Sequence, residues 1–427
     1  MIDRKLLREN PDLIKEALKK RNYLTDIIDE ILSLEQQTRN LKKEIESLRS
    51  AKNKISREIA RIRKINGDVE PLMETARSLD ENLAKLEKVL PEVENKLNEK
   101  WLYLPNIPHK SCPIGSSASD NLVVRTWGKL REFSFTPKAH WDIGEDLEIL
   151  DFKRAGEISG SRFAIYKNEG AELERALISF FLSENKKKGY QEILPPTLVK
   201  EDAMYVSAHL PKFRDEMYYA CEDQLFLIPT AETVLANLFR DEIIDESDLP
   251  LYFMAYTSCF RREAGSYGKD VRGIVRVHQF NKVELFKFTK PEESYDELEK
   301  MVHDVEDLLK LLELPYRIVL LCTGDMGFAA SKTYDIEVWV PGLERWLEAS
   351  SCSNTESFQT RRAKTRMRRR DGKIEYPHAL NGSGLATPRV FISILENFQQ
   401  EDGSVVIPEV LRPYMGGKDV ILRRKKN

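Results

Sequence analysis

From Leu24 onward, apolar residues recur at alternating steps of three and four: Leu24, Ile27, Ile31, Leu34, then Leu41, Ile45, Leu48, then Ile55, Ile59 and Ile62. Thr38 and Lys52 interrupt the series. After Asn66-Gly67-Asp68 the rhythm resumes through Leu72, Ala76, Leu79, Leu83, Leu86, Leu90, Val93 and Leu97. Heptad spacing of this kind draws one apolar seam along an α-helix, and a second helix with a matching seam buries it. Asn and Gly tolerate left-handed backbone, so Asn66-Gly67 predicts a reversal and hence an antiparallel coiled coil. Each arm would reach about 60 Å at about 1.5 Å per residue. Pro91 lacks an amide hydrogen and crowds the preceding turn, which predicts a kink or interruption there. The prolines of Leu104-Pro105-Asn106-Ile107-Pro108 push the backbone out of helical geometry. They divide the chain into a helical arm, 1–110, and a second domain, 111–427.

Beyond the arm the period changes. Apolar runs at Leu225–Ile228, Tyr252–Tyr256, Val283–Phe288 and Ile336–Trp339 read as strands, and Ala171–Lys188 and Pro291–Leu312 read as helices between them. Strands and long helices in this irregular order predict an α+β domain, an antiparallel sheet flanked by helices, rather than a doubly wound one.

Composition adds limits. The chain is 41% hydrophobic and 32% charged, which suits a folded protein. With 67 Lys and Arg against 70 Asp and Glu, any polyanion site must be local. One such place is Arg39 to Lys64. It holds Arg39, Lys42, Lys43, Arg49, Lys52, Lys54, Arg57, Arg61, Arg63 and Lys64 against Glu44, Glu46 and Glu58. A charge run is ordinarily a solvated helix face, but on an arm of this length it also fits a phosphate backbone, where lysines and arginines release condensed counterions. The five cysteines are scattered and show no CxxC spacing, which argues for a reducing compartment and against a zinc or disulfide framework. No apolar run resembles a signal peptide or membrane span, so a cytosolic protein is expected.

No phosphate-binding glycine loop occurs; Gly265-Ser-Tyr-Gly268-Lys269 and Gly382-Ser-Gly384 are partial look-alikes. If a nucleotide binds, arginines must hold it, because guanidinium groups stay charged and grip phosphate oxygens in pairs. Three segments offer them: Phe260-Arg261-Arg262-Glu263, Arg272-Gly273-Ile274-Val275-Arg276-Val277-His278-Gln279-Phe280, and Asn381 to Arg389. His140, His278 and His378 lack a second ligand at metal spacing and read as packing histidines.

These three segments resemble the second and third signature motifs of class II aminoacyl-tRNA synthetases, and Gly189 to Pro196 resembles the class II dimer motif. Thr230-Ala231-Glu232, Cys322-Thr323-Gly324-Asp325 and Glu348 to Asn354 are similar to seryl-type strings in particular. The resemblance runs from the arm to Tyr414, and both class I signatures are absent. It implies a class II catalytic domain that activates L-serine with ATP and loads it onto serine tRNA, with selenocysteine tRNA a second acceptor. It further implies a homodimer in which each arm reaches a tRNA held by the partner subunit.

Position by position, the resemblance gives Arg261 to the α-phosphate and the amino acid carboxylate, Glu263 to the adenine amino group and Phe280 to the purine face. Arg389 covers the other face and the γ-phosphate, and Arg276 is a second phosphate contact. Arg262, Val277, Ala349 and Ser350 flank these in the ATP site, and Arg261 and Arg389 are the expected catalytic residues. Glu348 and Ser351 resemble a metal pair for Mg²⁺, whose hard-oxygen preference they suit. Thr230, Ala231, Glu232, Glu284 and Ser383, with Arg261, resemble the serine pocket, where polar groups left unpaired by alanine would enforce selectivity. Two other readings compete. A ligase charging a carrier protein has no use for a long basic arm, and an RNA-binding relic has no use for Arg261, Glu263, Glu348 and Arg389 together. The basic runs Arg361–Arg370 and Arg423–Lys426 are either tRNA contacts or solvated.

Overall fold

The computed structural model describes residues 1–264 and 272–423. It divides into two compact units, Ile2–Pro105 and, with Met1, the chain from Asn106 onward. Among the described residues no helix is long and apolar enough to cross a membrane.

In the first unit, α1 (Arg4–Glu9) starts at Asp3, whose carboxylate accepts from the Lys5 amide, and α2 (Pro11–Lys20) starts on a proline, which needs no amide partner there. The arm is α3 (Asp26–Lys64) and α4 (Glu70–Leu102). Ion pairs Lys42–Glu94, Arg49–Glu87 and Lys52–Asp80 descend on one helix as they climb on the other, which fixes the antiparallel direction. At the tip Asn66 adopts φ 52°, and the Gly67 amide donates back to the Ile62 carbonyl, closing α3 with a Schellman-type turn.

The structure moves the start of the seam. Leu24 lies before the helix and is 84% exposed, whereas Ile28 and Ile31 are fully buried. Thr38 is no interruption: it is buried, and its hydroxyl donates to the Leu34 carbonyl 2.8 Å away. Nor does Pro91 interrupt α4, which runs through it. Pro91 and Glu87 are both exposed, so the carbonyl that loses its donor is on a solvated face.

The second unit is built on one eight-stranded sheet: β1 (Leu122–Trp127), β2 (Gln191–Glu192), β3 (Leu251–Phe260), β4 (Gln279–Thr289), β5 (Tyr316–Leu320), β6 (Lys332–Val340), β7 (Arg345–Asn354) and β8 (His378–Ala386). Their spatial order is β1-β5-β6-β7-β8-β4-β3-β2, antiparallel throughout except where β2 lies parallel to β3 at the edge. The α+β expectation holds. Along β4 the period-two alternation sends Val283 and Leu285 into a large core with α5 (Asn168–Lys187), α6 (Ser294–Leu311) and α7 (Thr387–Asn397). Phe286 and Phe288 point the other way into a smaller core with Ala231, Leu235 and Phe253. By the same alternation Phe280, Lys282 and Glu284 share this second face.

Candidate active site

An open cleft of about 520 Å³ lies over β4, β7 and β8. Arg261, at the end of β3, is held by two backbone bonds: its amide donates to the His278 carbonyl at 2.9 Å, and its Nε donates to the Pro229 carbonyl at 3.3 Å. Its guanidinium stands 5.2 Å from the centre of the Phe280 ring, so cation and aromatic plate form one wall. Glu263 takes the left-handed region at φ 50°, an uncommon place for a residue with a side chain, and its carboxylate pairs with Arg276 at 3.2 Å. Arg389, on the first turn of α7, donates to the Glu348 carbonyl at 2.5 Å and pairs with its carboxylate at 3.3 Å. Val277, Ala349 and Ser383 also line the cleft.

Gly273 supports this wall from behind. A side chain there would run into His140, because its Cβ would stand 2.1 Å from Nε2, and the close approach lets the Ile274 amide donate to that nitrogen at 3.2 Å. His140 is fully buried and its Nδ1 meets Glu396 at 2.9 Å, which makes it a satisfied packing histidine. His278 and His378 likewise bond the Arg261 carbonyl and Ser294.

On β7 a bulge decides the geometry. Ser350 pairs with Ile336 and Glu348 pairs with Glu337, leaving Ala349 as the extra residue. Glu348 and Ser351, three positions apart, would face opposite sides of a regular strand; the bulge turns both to one side. Asp335, opposite Ser351, joins them, and burial followed by the nearby Glu348 charge pushes its carboxyl upward. Its Oδ1 is buried with no hydrogen-bond partner among the described residues. Ser350 faces away and donates to the Ser383 carbonyl.

A second group of polar residues lies beside the cleft. Thr230 donates to Glu284 Oε2 at 2.8 Å, and the Glu232 amide donates to Thr230. Gln359 and Asn381 donate to Glu232 Oε1 at 2.6 and 3.1 Å. Burial, then the Glu284 charge, pushes the Glu232 carboxyl up to about 7. Ala231 is buried beneath, and Ser383 pairs with Glu284 across β8 and β4.

Of the residues picked out in the sequence, Arg262 and Ser350 have no place in either group: Ser350 faces the other way, and the Arg262 side chain is exposed, its amide donating to the Glu216 carbonyl. Gly265–Lys269 and Arg424–Lys426 lie outside the described residues. In the basic run, Arg362 is buried against the Tyr205 and Leu210 carbonyls, and Arg369 is enclosed by Glu246, Glu292 and Glu375, which are structural roles. Sequence reading missed Lys282, Gln359, Asn381 and Asp335. The alternation Phe280-x-Lys282-x-Glu284 carried a signal for the first; the others come together only through folding.

The seryl-tRNA synthetase N-terminal domain family matches residues 1–108, and the class II tRNA synthetase core domain family (G, H, P, S and T) matches residues 213–398. The serine–tRNA ligase of Thermodesulfovibrio yellowstonii is 54% identical over 419 residues, covering 97% of this chain and 99% of that one. The chain belongs to the seryl-tRNA synthetase family. Another member, the serine–tRNA ligase of Methanosarcina barkeri, is 50% identical over 426 residues and covered completely, as is this chain. Within the family, the crystal structure of seryl-tRNA synthetase from Pyrococcus horikoshii complexed with ATP superposes with a TM-score of 0.93 at 41% identity, covering 100% of both chains. Prolyl-tRNA synthetase from Giardia lamblia, at 17% identity, TM-score 0.56 and 66% and 58% coverage, shares the fold alone.

Proposed function

We propose that this member of the family activates L-serine with ATP to seryl-adenylate and transfers the seryl group to serine tRNA, and to a selenocysteine tRNA of the same shape where one exists. The observation that carries this reading is the position of Arg261. One fixed guanidinium lies over the Phe280 plate and, through Pro229, beside Thr230 and the acid pair. It joins a cleft fit for a nucleotide to a pocket fit for a small amino acid with a hydroxyl.

In this reading the purine lies on Phe280, with Glu263 accepting from its amino group and Arg276 and Arg389 on the phosphate tail. Glu284, Glu232, Thr230 and Ser383 hold the serine ammonium and hydroxyl. The serine carboxylate attacks the α-phosphorus, pyrophosphate leaves, and Arg261 stabilises the charge gathered on the five-coordinate phosphorus. The terminal ribose hydroxyl of the tRNA then attacks the acyl carbon and AMP leaves. Glu348, Ser351 and the unpartnered Oδ1 of Asp335 form a hard-oxygen set that suits Mg²⁺, which keeps several waters and phosphate ligands besides a few protein oxygens. When bound, the ion would neutralise charge on the pyrophosphate leaving group.

The enzyme would work in the cytoplasm as a homodimer through the edge of the sheet at β2, where Leu194 is 86% exposed, with the arm lying on the long variable arm of the tRNA. Amino-acid-dependent exchange of pyrophosphate into ATP, run with each of the twenty amino acids without tRNA, tests the chemistry. Exchange with serine alone is expected; absence of exchange, or exchange with another amino acid, overturns it.

A further inference from the structure

Phe280, Lys282 and Glu284 stand in succession on one face of β4, about 6.6 Å from one to the next. Phe280 belongs to the cleft and Glu284 to the acid pocket, so Lys282 sits at the junction of the two. It lines the cleft, yet its ammonium pairs with Glu284 Oε2, the same oxygen that accepts from Thr230. Their side chains are 7% and 2% exposed. A buried ammonium is retained only against an acid, and here the acid is the one that the proposed function gives to the ammonium of serine. The protein thus sets a cation of its own where the substrate cation would go.

We propose that Lys282 is a two-position cation, resting on Glu284 before substrate binds and moving onto the serine carboxylate and α-phosphate oxygens when the substrate ammonium takes Glu284. This inference rests on the reading of the pocket as a serine site. Three observations carry it. Two ammonium groups on one enclosed carboxylate, with the Arg261 guanidinium close by, repel strongly where water is scarce. Glu232 offsets only part of the extra charge, because burial raises its carboxyl to about 7 and keeps it partly protonated near neutral pH. The stem of a lysine is also suited to changing partners: it is flexible and ends in a compact charge, whereas Arg261 is anchored by Pro229 and Phe280. The destination needs a cation, since negative charge gathers on the phosphate oxygens between the Phe280 plate and Glu284 as the carboxylate attacks. The ammonium of the correct substrate thereby releases a catalytic group, and an acid without an ammonium leaves that group in place.

The test uses the full chain as wild type, Lys282→Met and Lys282→Arg. Serine-dependent pyrophosphate exchange by the wild type comes first; its absence would refute the serine reading whatever Lys282 does. Ethanolamine, which keeps the ammonium and hydroxyl of serine but lacks the carboxylate, is then titrated calorimetrically. Lys282→Met is expected to bind ethanolamine about tenfold more tightly than wild type, since the competing cation is gone. Its kcat for exchange is expected to fall about a hundredfold with the serine KM within a few fold, and its ATP affinity to stay within about twofold. Weaker or unchanged ethanolamine binding in a variant that still binds ATP would overturn the proposal and make Lys282 a fixed counter-ion. Lys282→Arg keeps the charge and the fold. Its planar fork is expected to stay on Glu284, with ethanolamine bound no more tightly than by wild type and kcat at least about tenfold lower. Exchange at the wild-type rate by that variant would also overturn it.

Discussion

Glu232 shows how one buried side chain sets a working range. Burial and the neighbouring Glu284 raise its carboxyl from the ordinary 4.5 to about 7, against the pull of Gln359, Lys282 and Arg261. A carboxyl that holds its proton more tightly in the folded chain contributes stability that is complete below about 4.5 and is lost as pH rises through about 7. In the proposed serine pocket binding runs the other way, because a neutral Glu232 would be a poorer acceptor for the substrate ammonium. The kcat/KM for serine should therefore fall about tenfold per pH unit on the acid side of that value, since this parameter reports the free enzyme. Glu232→Gln should lower kcat/KM but flatten the profile, and a profile as steep as wild type would assign the titration elsewhere. Arg261→Ala should abolish serine-dependent pyrophosphate exchange, by about a thousandfold, and leave tRNA affinity, measured by filter binding, nearly unchanged. Arg261 was legible in the sequence because its neighbours form a recognisable string. Gln359 and Asn381 were not, because each acts only through Glu232, 127 and 149 residues away along the chain.

At the scale of elements, the heptad rhythm was enough to read the arm, since apolar spacing alone defines a helix seam. It did not show which charges are free. Lys42, Arg49 and Lys52 are tied to acids on α4, whereas among the described residues Lys54, Arg57 and Lys64 meet no carboxylate. The paired set stitches the arm, each exposed pair contributing about 0.2–1 kcal/mol, and the unpaired set near the tip is available to phosphates. Replacing Lys54, Arg57 and Lys64 together by Gln should leave the melting temperature of the arm within about 2 °C and weaken tRNA binding. The slope of log affinity against log salt should become shallower, by up to about 0.9 per lost phosphate contact. An unchanged slope would place the tRNA elsewhere. The strands gave less away. Nothing in Glu348-Ala349-Ser350-Ser351 announces a bulge, since bulges come from pairing with a partner strand, and so Asp335 could not be joined to Glu348 and Ser351 before β6 and β7 were seen side by side.

For the molecule as a whole, the proposed chemistry and the proposed grip on tRNA fall in different units. Every residue placed on the cleft or the acid pocket lies between Thr230 and Arg389, inside the unit that begins at Asn106, and none comes from the arm. Adenylate formation should then be indifferent to the arm, and tRNA charging should depend on it. Excising the hairpin between Arg39 and Glu94 is physically mild, because Lys42, one turn beyond Arg39, reaches Glu94 at 2.7 Å, so the cut ends lie side by side and a short glycine-rich turn closes the gap at small entropic cost. The cut leaves Ile28 and Ile31 at one end and Leu97 and Trp101 at the other, all of them buried. The shortened protein should keep serine-dependent pyrophosphate exchange within about twofold. Its kcat/KM for tRNA charging should fall by about a hundredfold or more, mostly through KM, because the lost contacts hold the tRNA before and during reaction alike. If charging survived at the normal rate, the basic face of α3 would be an ordinary solvated surface and tRNA selection would have to reside in the catalytic unit. If exchange were lost as well, adenylate formation would depend on the arm and the proposed division of labour would fail.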